Sequence, residues 1–424
     1  MKNKKLIKEF FKYVSLNILG MMGLSFYILA DTFFIAQGIG AGGLSALNLA
    51  LPIYSFIQGV GLMIGMGGAT RYIISKSKGS FTQSIYSGMI FALIFLCLGG
   101  FFSENLARIL GANEEIFDNT RIYIQTILSF SPMFLLNNIM LAFVRNDSNP
   151  KLAMLAMLVG SLSNIVLDYF LVFPFQMGMF GAAFATGLAP IVSLSILSAH
   201  FIKRKNTFTL AKTKLQIKGI VDIFALGSSA LITEFSSGIV IIVFNGLILN
   251  LSGNMGVAAY GVIANIALVI VAIFVGISQG IQPIISRCFG ENNIESAKKT
   301  LIYGVWTAVV LAILIYLGSI CFTKEMVSLF NRDNALELEV IATQGILIYF
   351  SSFVFMGANI LVATYFSAIG KTKQGFIISF LRGFGVILPT ALILSYMFSM
   401  NGVWLSMPVT EGIVFVVALC LWKK

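Results

Sequence analysis

Two carboxylates stand where a charge is expensive. Asp31 lies inside the apolar run FYILADTFFIAQ (26–37), and Asp168 lies inside LSNIVLDYFLVF (162–173). An ionisable group at membrane depth is costly, so such residues face a protein cavity and work there. Asn164 precedes Asp168 by four residues and therefore shares its helix face; Tyr27 and Asp31 repeat that spacing. Thr186 follows the short turn PFQMGMFG. Asp31 is seven residues from Gly38, Asp168 six from Pro174 and Thr186 five from Gly181. At 1.5 Å per residue, all three are expected about 8–10 Å below the same outer boundary. Two carboxylates, an amide and a hydroxyl at one level make an oxygen-rich site for a hard cation. They equally suit a carboxylate pair that shares one proton, or a satisfied polar network that only pins three helices.

Of the 17 acids in the chain, only Asp31, Asp168, Glu234 and Glu411 lie well inside apolar segments. Glu234 and Glu411 are secondary candidates, expected deeper and in the other half of the chain. Glu234 is read either as part of a substrate path or second ion site, or as the structural partner of Arg382. His200, at the end of an apolar segment, is expected to be an interfacial spectator. Cys97, Cys288, Cys321 and Cys420 are scattered in or beside apolar runs, as packing residues are. No metal pair, nucleophile elbow or phosphate-cradling loop is present in the sequence, so no enzymatic chemistry and no cofactor is expected.

The elements that must position these groups are membrane helices. The chain is 58% hydrophobic and 11% charged, with a mean hydropathy of +0.93. Polar breaks divide it into twelve spans: 12–37, 44–74, 83–103, 120–143, 152–173, 181–202, 220–250, 256–286, 300–322, 340–367, 375–398 and 402–422. Each is long enough to cross a ~30 Å hydrocarbon core as a helix. The basic start, MKNKKLIKEFFKYV, is followed by no small-residue cleavage site, so the first apolar run is read as a retained helix. The net charge of +11 reflects topology. Arg108, Arg121, Lys324 and Arg332 fall on one side, Arg382 falls within a span, and the remaining basic residues share the opposite side with both termini. The 203–218 loop, with KRK at 203–205, is the largest cluster. This asymmetry places both termini and that loop in the cytoplasm of a cell-membrane protein and argues against nucleic acid as a partner.

The chain also repeats itself in order. GLSALNLALPI (43–53) resembles GVAAYGVIANI (256–266) at an offset of 213, and YIISKSKG (72–79) resembles PIISRCFG (283–290) at 211. GMFGAAFATG (178–187) resembles SMNGVWLSMP (399–408) at 221. Similar offsets point to duplication. Six spans per half is an even number, so the halves run parallel: residues 1–202 as the first lobe, 203–219 as a cytoplasmic linker and 220–424 as the second lobe. Duplicated halves with a buried site are a transporter pattern.

YILADTFFIAQGIGAGGLSALNLALPI, FVRNDSNPKLAMLAMLVGSLSNIVLDYFLVF, MGMFGAAFATG and GISQGIQPIISRCFG resemble the multidrug and toxic compound extrusion (MATE) family over nearly the whole chain. The resemblance implies an all-α membrane protein of twelve helices in two six-helix lobes forming a V. It also implies export of organic cations driven by inward flow of Na+ or H+, with membrane lipid as surroundings. The first-half pattern is similar to the DinF-like and prokaryotic sodium-site members, whose ion is surrounded by residues matching Tyr27, Asp31, Asn164, Asp168 and Thr186. NorM-like members place an acidic pair in the second lobe; Glu234 lies in the matching helix, but the tenth span has no carboxylate except at its outer edge. A monomer is expected. The alternatives are a lipid-linked glycan flippase of the same superfamily, for which the cavity arginines and extra helices are missing; a major facilitator transporter, whose loop motif needs an acid that SKSKGSFTQ (75–83) lacks; and a non-transporting receptor.

Overall fold

The computed structural model describes residues 2–77, 79–328 and 335–423, and among them every regular element is a helix. Lys78, in the second repeat motif, and Arg332, one of the basic residues expected on the outer side, lie outside the described residues.

The first half contains α1 (Lys2–Gly38), α2 (Ala41–Ser75), α3 (Ser80–Ile109), α4 (Phe117–Ser129) and α5 (Ser131–Asn146), then α6 (Pro150–Val172), α7 (Gly178–Leu197) and the short α8 (Ala199–Ile202). The second half contains α9 (Ile217–Gly290), α10 (Ile294–Ser328), α11 (Leu336–Tyr349) and α12 (Phe353–Ala368), then α13 (Thr372–Phe380) and α14 (Ile387–Lys423). A 3-10 turn at Phe350–Ser352 joins α11 to α12, and a π-helical turn at Leu381–Gly385 joins α13 to α14. Among the described residues, nine helical stretches are long and apolar enough to cross a membrane, and α4 with α5 makes a further crossing bent by 48°. Two of the nine are hairpins. Phe244 and Tyr260 would be about 24 Å apart on a straight helix, yet their ring centroids are 5.5 Å apart. Likewise the hydroxyls of Thr390 and Thr410 meet at 2.8 Å across a separation of 20 residues. Counting both hairpins twice gives twelve crossings, the all-α membrane architecture expected. Helices satisfy their own backbone groups, which a lipid environment demands.

The hairpin corners show the duplication in the backbone itself. Gly253, which folds α9 back, has φ 59° and ψ −156°; Gly40, between α1 and α2, has φ 88° and ψ −165°. The two positions differ by 213, the offset of the neighbouring sequence match. Ser399, which folds α14 back, has φ 50°, and Gly178, 221 residues earlier, has φ 56°. The left-handed conformation suits glycine and strains serine, so at Ser399 the turn is imposed by the packing of its flanking helices. Gly402 supplies the closest of those approaches, because a Cβ there would lie 1.7 Å from the Leu394 carbonyl oxygen.

The chain forms two compact units, Phe11–Phe235 and Met1–Phe10 with Ser236–Lys424. The first unit thus takes in residues 220–235, which the sequence assigns to the second lobe. The reason is glycine interlocking between α2 and the start of α9. A Cβ at Gly67 would lie 2.0 Å from the Ile223 carbonyl oxygen, and one at Gly227 would lie 1.9 Å from that of Met63. Arg71 and Asp222 form an ion pair at 3.4 Å beside this contact. Because backbone atoms face both glycines, no side chain can yield. Gly227→Leu is therefore expected to lower stability by about 1–3 kcal/mol or more, read as a depressed melting temperature of the purified protein; an unchanged melt contradicts the interlock.

The linker before α9 is sewn to α3. Thr82 exchanges hydrogen bonds with the backbone of Ala211, and Gln83 accepts from the Gln216 N–H at 3.0 Å and donates to the Lys214 carbonyl at 2.7 Å. His200 corrects the sequence expectation of a spectator. It is 1% exposed, its Nε2 bonds Asp147 at 2.8 Å, and its Nδ1 meets the Asn149 amide at 3.2 Å. Asp147 also accepts from the Thr207 backbone N–H at 2.8 Å, and Phe208 stacks on the imidazole. These partners come from the turn after α5 and from the linker, so periodicity around His200 gives no sign of them.

Candidate cation site

The first unit brings four of the expected groups together. Asp31 on α1 is 5% exposed; Asn164 and Asp168 on α6 are fully buried; Thr186 on α7 is also buried. The Asp31 and Asp168 carboxyl groups are in hydrogen-bonding contact with each other. Asn164 joins α6 to α7. With its amide nitrogen donating to Asp168 Oδ2 at 3.1 Å, its oxygen accepts from the Thr186 N–H at 3.2 Å. The reverse orientation leaves one contact of 3.4 Å to Thr186 Oγ1, so the first orientation is the better satisfied one. The helical spacing of four delivers this geometry, since Asn164 and Asp168 stand on one face of α6 and that face looks at α1 and α7. Small residues make room: a Cβ at Gly20 would meet Met157 Sδ at 3.0 Å, and one at Gly23 would meet the Leu158 side chain at 2.6 Å. α1 lies close against α6 through these two glycines and runs as one helix past Asp31.

Two oxygens remain over. Asp31 Oδ1 and Asp168 Oδ1 are buried and have no hydrogen-bond partner. Buried polar atoms are otherwise almost always satisfied, and an acceptor oxygen left over on each of two carboxyl groups in contact calls for something that donates or is positively charged. No cluster of three or more His, Cys, Asp or Glu occurs among the described residues. Two carboxylates with an amide and hydroxyls fit a monovalent cation or a proton by charge.

Tyr27 lies one turn before Asp31 and interacts with it electrostatically. Its hydroxyl is bonded to that of Tyr54 on α2. Tyr123, on α4, is a site residue that the sequence did not single out. It is 3% exposed, its hydroxyl hydrogen-bonds Thr186, and it interacts electrostatically with both carboxylates. Tyr123 is three residues inside the span expected at 120–143, about 5 Å below the outer boundary and shallower than the other three groups, so matching of depths passes over it.

Glu234 is not part of this cluster. It sits in the first unit, where a Cβ on Gly59 of α2 would lie 3.4 Å from the Glu234 Cβ, and it interacts electrostatically with Tyr54. Glu411 belongs to the second unit. There the guanidinium of Arg382 holds its carboxylate at 2.7–3.0 Å, and the Asn359 amide donates to Oε2 at 2.7 Å. Arg382 is thus the partner of Glu411, which corrects the pairing with Glu234 considered from the sequence. The π-helical turn carrying Arg382 brings its side chain to face Glu411, a placement that linear spacing does not reveal. Where the first unit has Asp31, the repeat leads to Phe244 or Asn245, and where it has Asp168, to Pro389; Phe244 is fully buried against Tyr260. The carboxylate pair has no counterpart there.

Comparison with known proteins agrees with this architecture. A family model described as MatE matches residues 17–170 and 229–396. The multidrug export protein MepA of Staphylococcus saprophyticus is 27% identical over 395 residues, covering 89% of this chain and 85% of that protein. MepA of Staphylococcus aureus is 27% identical over 412 residues, covering 93% and 88%. Among solved structures, a crystal structure of a MATE transporter superposes with a TM-score of 0.89 at 22% identity, covering 98% of this chain and 95% of that one. The Vibrio cholerae MATE transporter VcmN, in a mutant form, also gives 0.89, at 21% identity and with 99% and 97% covered.

Proposed function

The chain belongs to the MatE family, and from that membership we propose that it is a secondary active efflux antiporter exporting bulky amphipathic organic cations in exchange for Na+ or H+. The observation that carries this reading is the pair of adjacent carboxylates with two buried, unpartnered oxygens. The relatives named multidrug export proteins support the same direction of work. In this reading Asp31, Asn164, Asp168 and Thr186 hold the coupling cation, and Tyr27 and Tyr123 line it. Two carboxylates at close range cannot both stay ionised without a positive charge between them. A proton bridges them in one state, a Na+ ion keeps both ionised in the other, and the two therefore compete. Antiport follows when the occupied and empty sites favour different shapes of the first unit, since a ligand with equal affinity for both shapes shifts nothing.

The substrate class is argued from composition. The chain has 18 Met and 38 Phe; methionine repacks around varied shapes, and aromatic faces attract quaternary ammonium groups. We propose that the protein lies in the cell membrane with both termini cytoplasmic, as the distribution of basic residues favours. Its lobes, divided at 203–219 by sequence, are proposed to be the moving bodies. Ethidium efflux from proteoliposomes, with a Na+ gradient and a pH gradient imposed one at a time, tests the whole reading. Efflux driven by at least one of them is expected, with anionic compounds handled poorly. No gradient-driven efflux, or preferred transport of an anionic lipid-linked sugar, overturns it.

A further inference from the structure

The segment between α8 and α9 carries six basic side chains and no acid: KRK at 203–205, then Lys212, Lys214 and Lys218. All six are exposed, and among the described residues none of them forms an ion pair. The acid that touches this segment, Asp147, is taken up by His200 and the Thr207 N–H. Asp222, four residues beyond Lys218, pairs with Arg71.

Like charges on a free loop spread apart in solvent, but here the backbone is held. Thr82 on α3 grips both the N–H and the carbonyl of Ala211, and Gln83 takes the Lys214 carbonyl. The Thr213 N–H donates back to the Ala211 carbonyl at 2.8 Å, closing a three-residue turn with Lys212 at its tip. A Cβ on Gly79 would lie 3.2 Å from Thr213 Cγ2, so that side chain is seated against the start of α3. Ala211 and Thr213 thus face the protein and are half-buried, whereas Leu210, Lys212 and Lys214 point away and are exposed. The outward face is not only charged. Leu210 is 69% exposed and Leu215 51% exposed, interleaved with the lysines. Ile202 closes one membrane-crossing stretch and Ile217 opens the next, so both ends of the segment lie at the membrane boundary.

We propose that the segment 203–218 is a docking surface for anionic phospholipid headgroups of the adjoining leaflet, with the lysines on the phosphates and Leu210 and Leu215 entering the headgroup–acyl boundary. The inference is independent of the cation-site reading and rests only on the placement of the chain in a membrane. A basic cluster beside a membrane helix attracts anionic lipid, and aliphatic side chains between the charges gain by leaving water at the same interface. A nucleic acid or an acidic peptide would satisfy the charges but leave the leucines in water. The hydrogen bonds to α3 fix the turn before lipid arrives, so little ordering remains to oppose binding.

The test places a reporter on the face itself. Full-length protein carrying Leu210→Trp is reconstituted in vesicles of equal parts phosphatidylglycerol and phosphatidylcholine, with bromines on the upper acyl chains of one lipid or the other. Quenching of the added indole is read as the difference from protein with only the three native tryptophans. Brominated phosphatidylglycerol is expected to quench more strongly than brominated phosphatidylcholine. Each lysine removed should lower that preference by up to about fivefold. The triple variant Lys212→Gln, Lys214→Gln, Lys218→Gln therefore brings the two lipids close to equal. Neutralising 203–205 instead (Lys203→Gln, Arg204→Gln, Lys205→Gln) gives a second set with the same expectation, should the first fail to fold. Lys4→Gln, Lys5→Gln, Lys8→Gln removes as much charge elsewhere and should leave the preference intact. Equal quenching by both lipids in the unneutralised protein, or loss of the preference in the Lys4, Lys5 and Lys8 control, overturns the docking surface. No quenching by either lipid overturns it too, because the face then lies in water or under another macromolecule.

Discussion

Asp31→Asn is expected to abolish gradient-driven efflux while the protein remains folded and inserted. The substitution keeps side-chain volume and can retain the link between α1 and α6, since an amide donates to or accepts from Asp168 as a carboxyl does. What it removes is charge. A monovalent cation about 4 Å from one carboxylate gains roughly 4 kcal/mol at an effective dielectric of 20, so losing one of two carboxylates weakens binding by a hundredfold or more. Exchange with a proton is lost as well, because an amide does not titrate. Size-exclusion behaviour and melting temperature report folding, and ethidium flux reports function. Efflux at the wild-type rate from Asp31→Asn vesicles removes these carboxylates from the coupling step.

The largest effect on stability is expected in the second unit, at the Arg382–Glu411 pair. The side chains are 12% and 2% exposed, and the Asn359 amide also serves Glu411, through both the side chain and the backbone carbonyl. Removing one partner of such a pair leaves a buried, uncompensated charge, which costs about 3–5 kcal/mol. Replacing both with apolar residues of similar volume is often neutral. Glu411→Ala is therefore expected to lower the melting temperature sharply, whereas the double variant Arg382→Leu with Glu411→Leu should recover most of the loss. A double variant as unstable as the single one shows that the pair contributes more than mutual neutralisation.

The candidate cation site is legible in the sequence to the extent that its members are chemically conspicuous. Asp31 and Asp168 stand out because carboxylates are rare inside apolar helices, and Asn164 follows from a spacing of four. Tyr123 and Tyr54 do not stand out. They are neutral, tolerated in membrane helices, and distinguished only by what they touch on other helices. The twelve crossings are legible because each is an apolar run of fixed minimum length, and the corners are partly legible through the repeat, which pairs Gly40 with Gly253. The place where one unit ends and the next begins is not legible. It depends on Gly67 and Gly227 admitting backbone-to-backbone contact across 160 residues of sequence, and a glycine spacing does not name its partner. The fate of Arg382 and His200 escapes for the same reason: each is neutralised or capped by a residue far away in sequence.

The grouping of the first ten residues with Ser236–Lys424 has a bearing on biogenesis. Glu9 meets Arg287 at 2.6 Å across a separation of 278 residues, and Phe10 packs edge-on against Tyr303. At a synthesis rate of about 5–20 residues per second, the head of α1 waits roughly 15–55 s between leaving the ribosome and the arrival of its partner. The first unit is contiguous from Phe11 to Phe235 and can assemble during that interval. Glu9 and Phe10, at the head of α1, find these partners only once the second unit has followed.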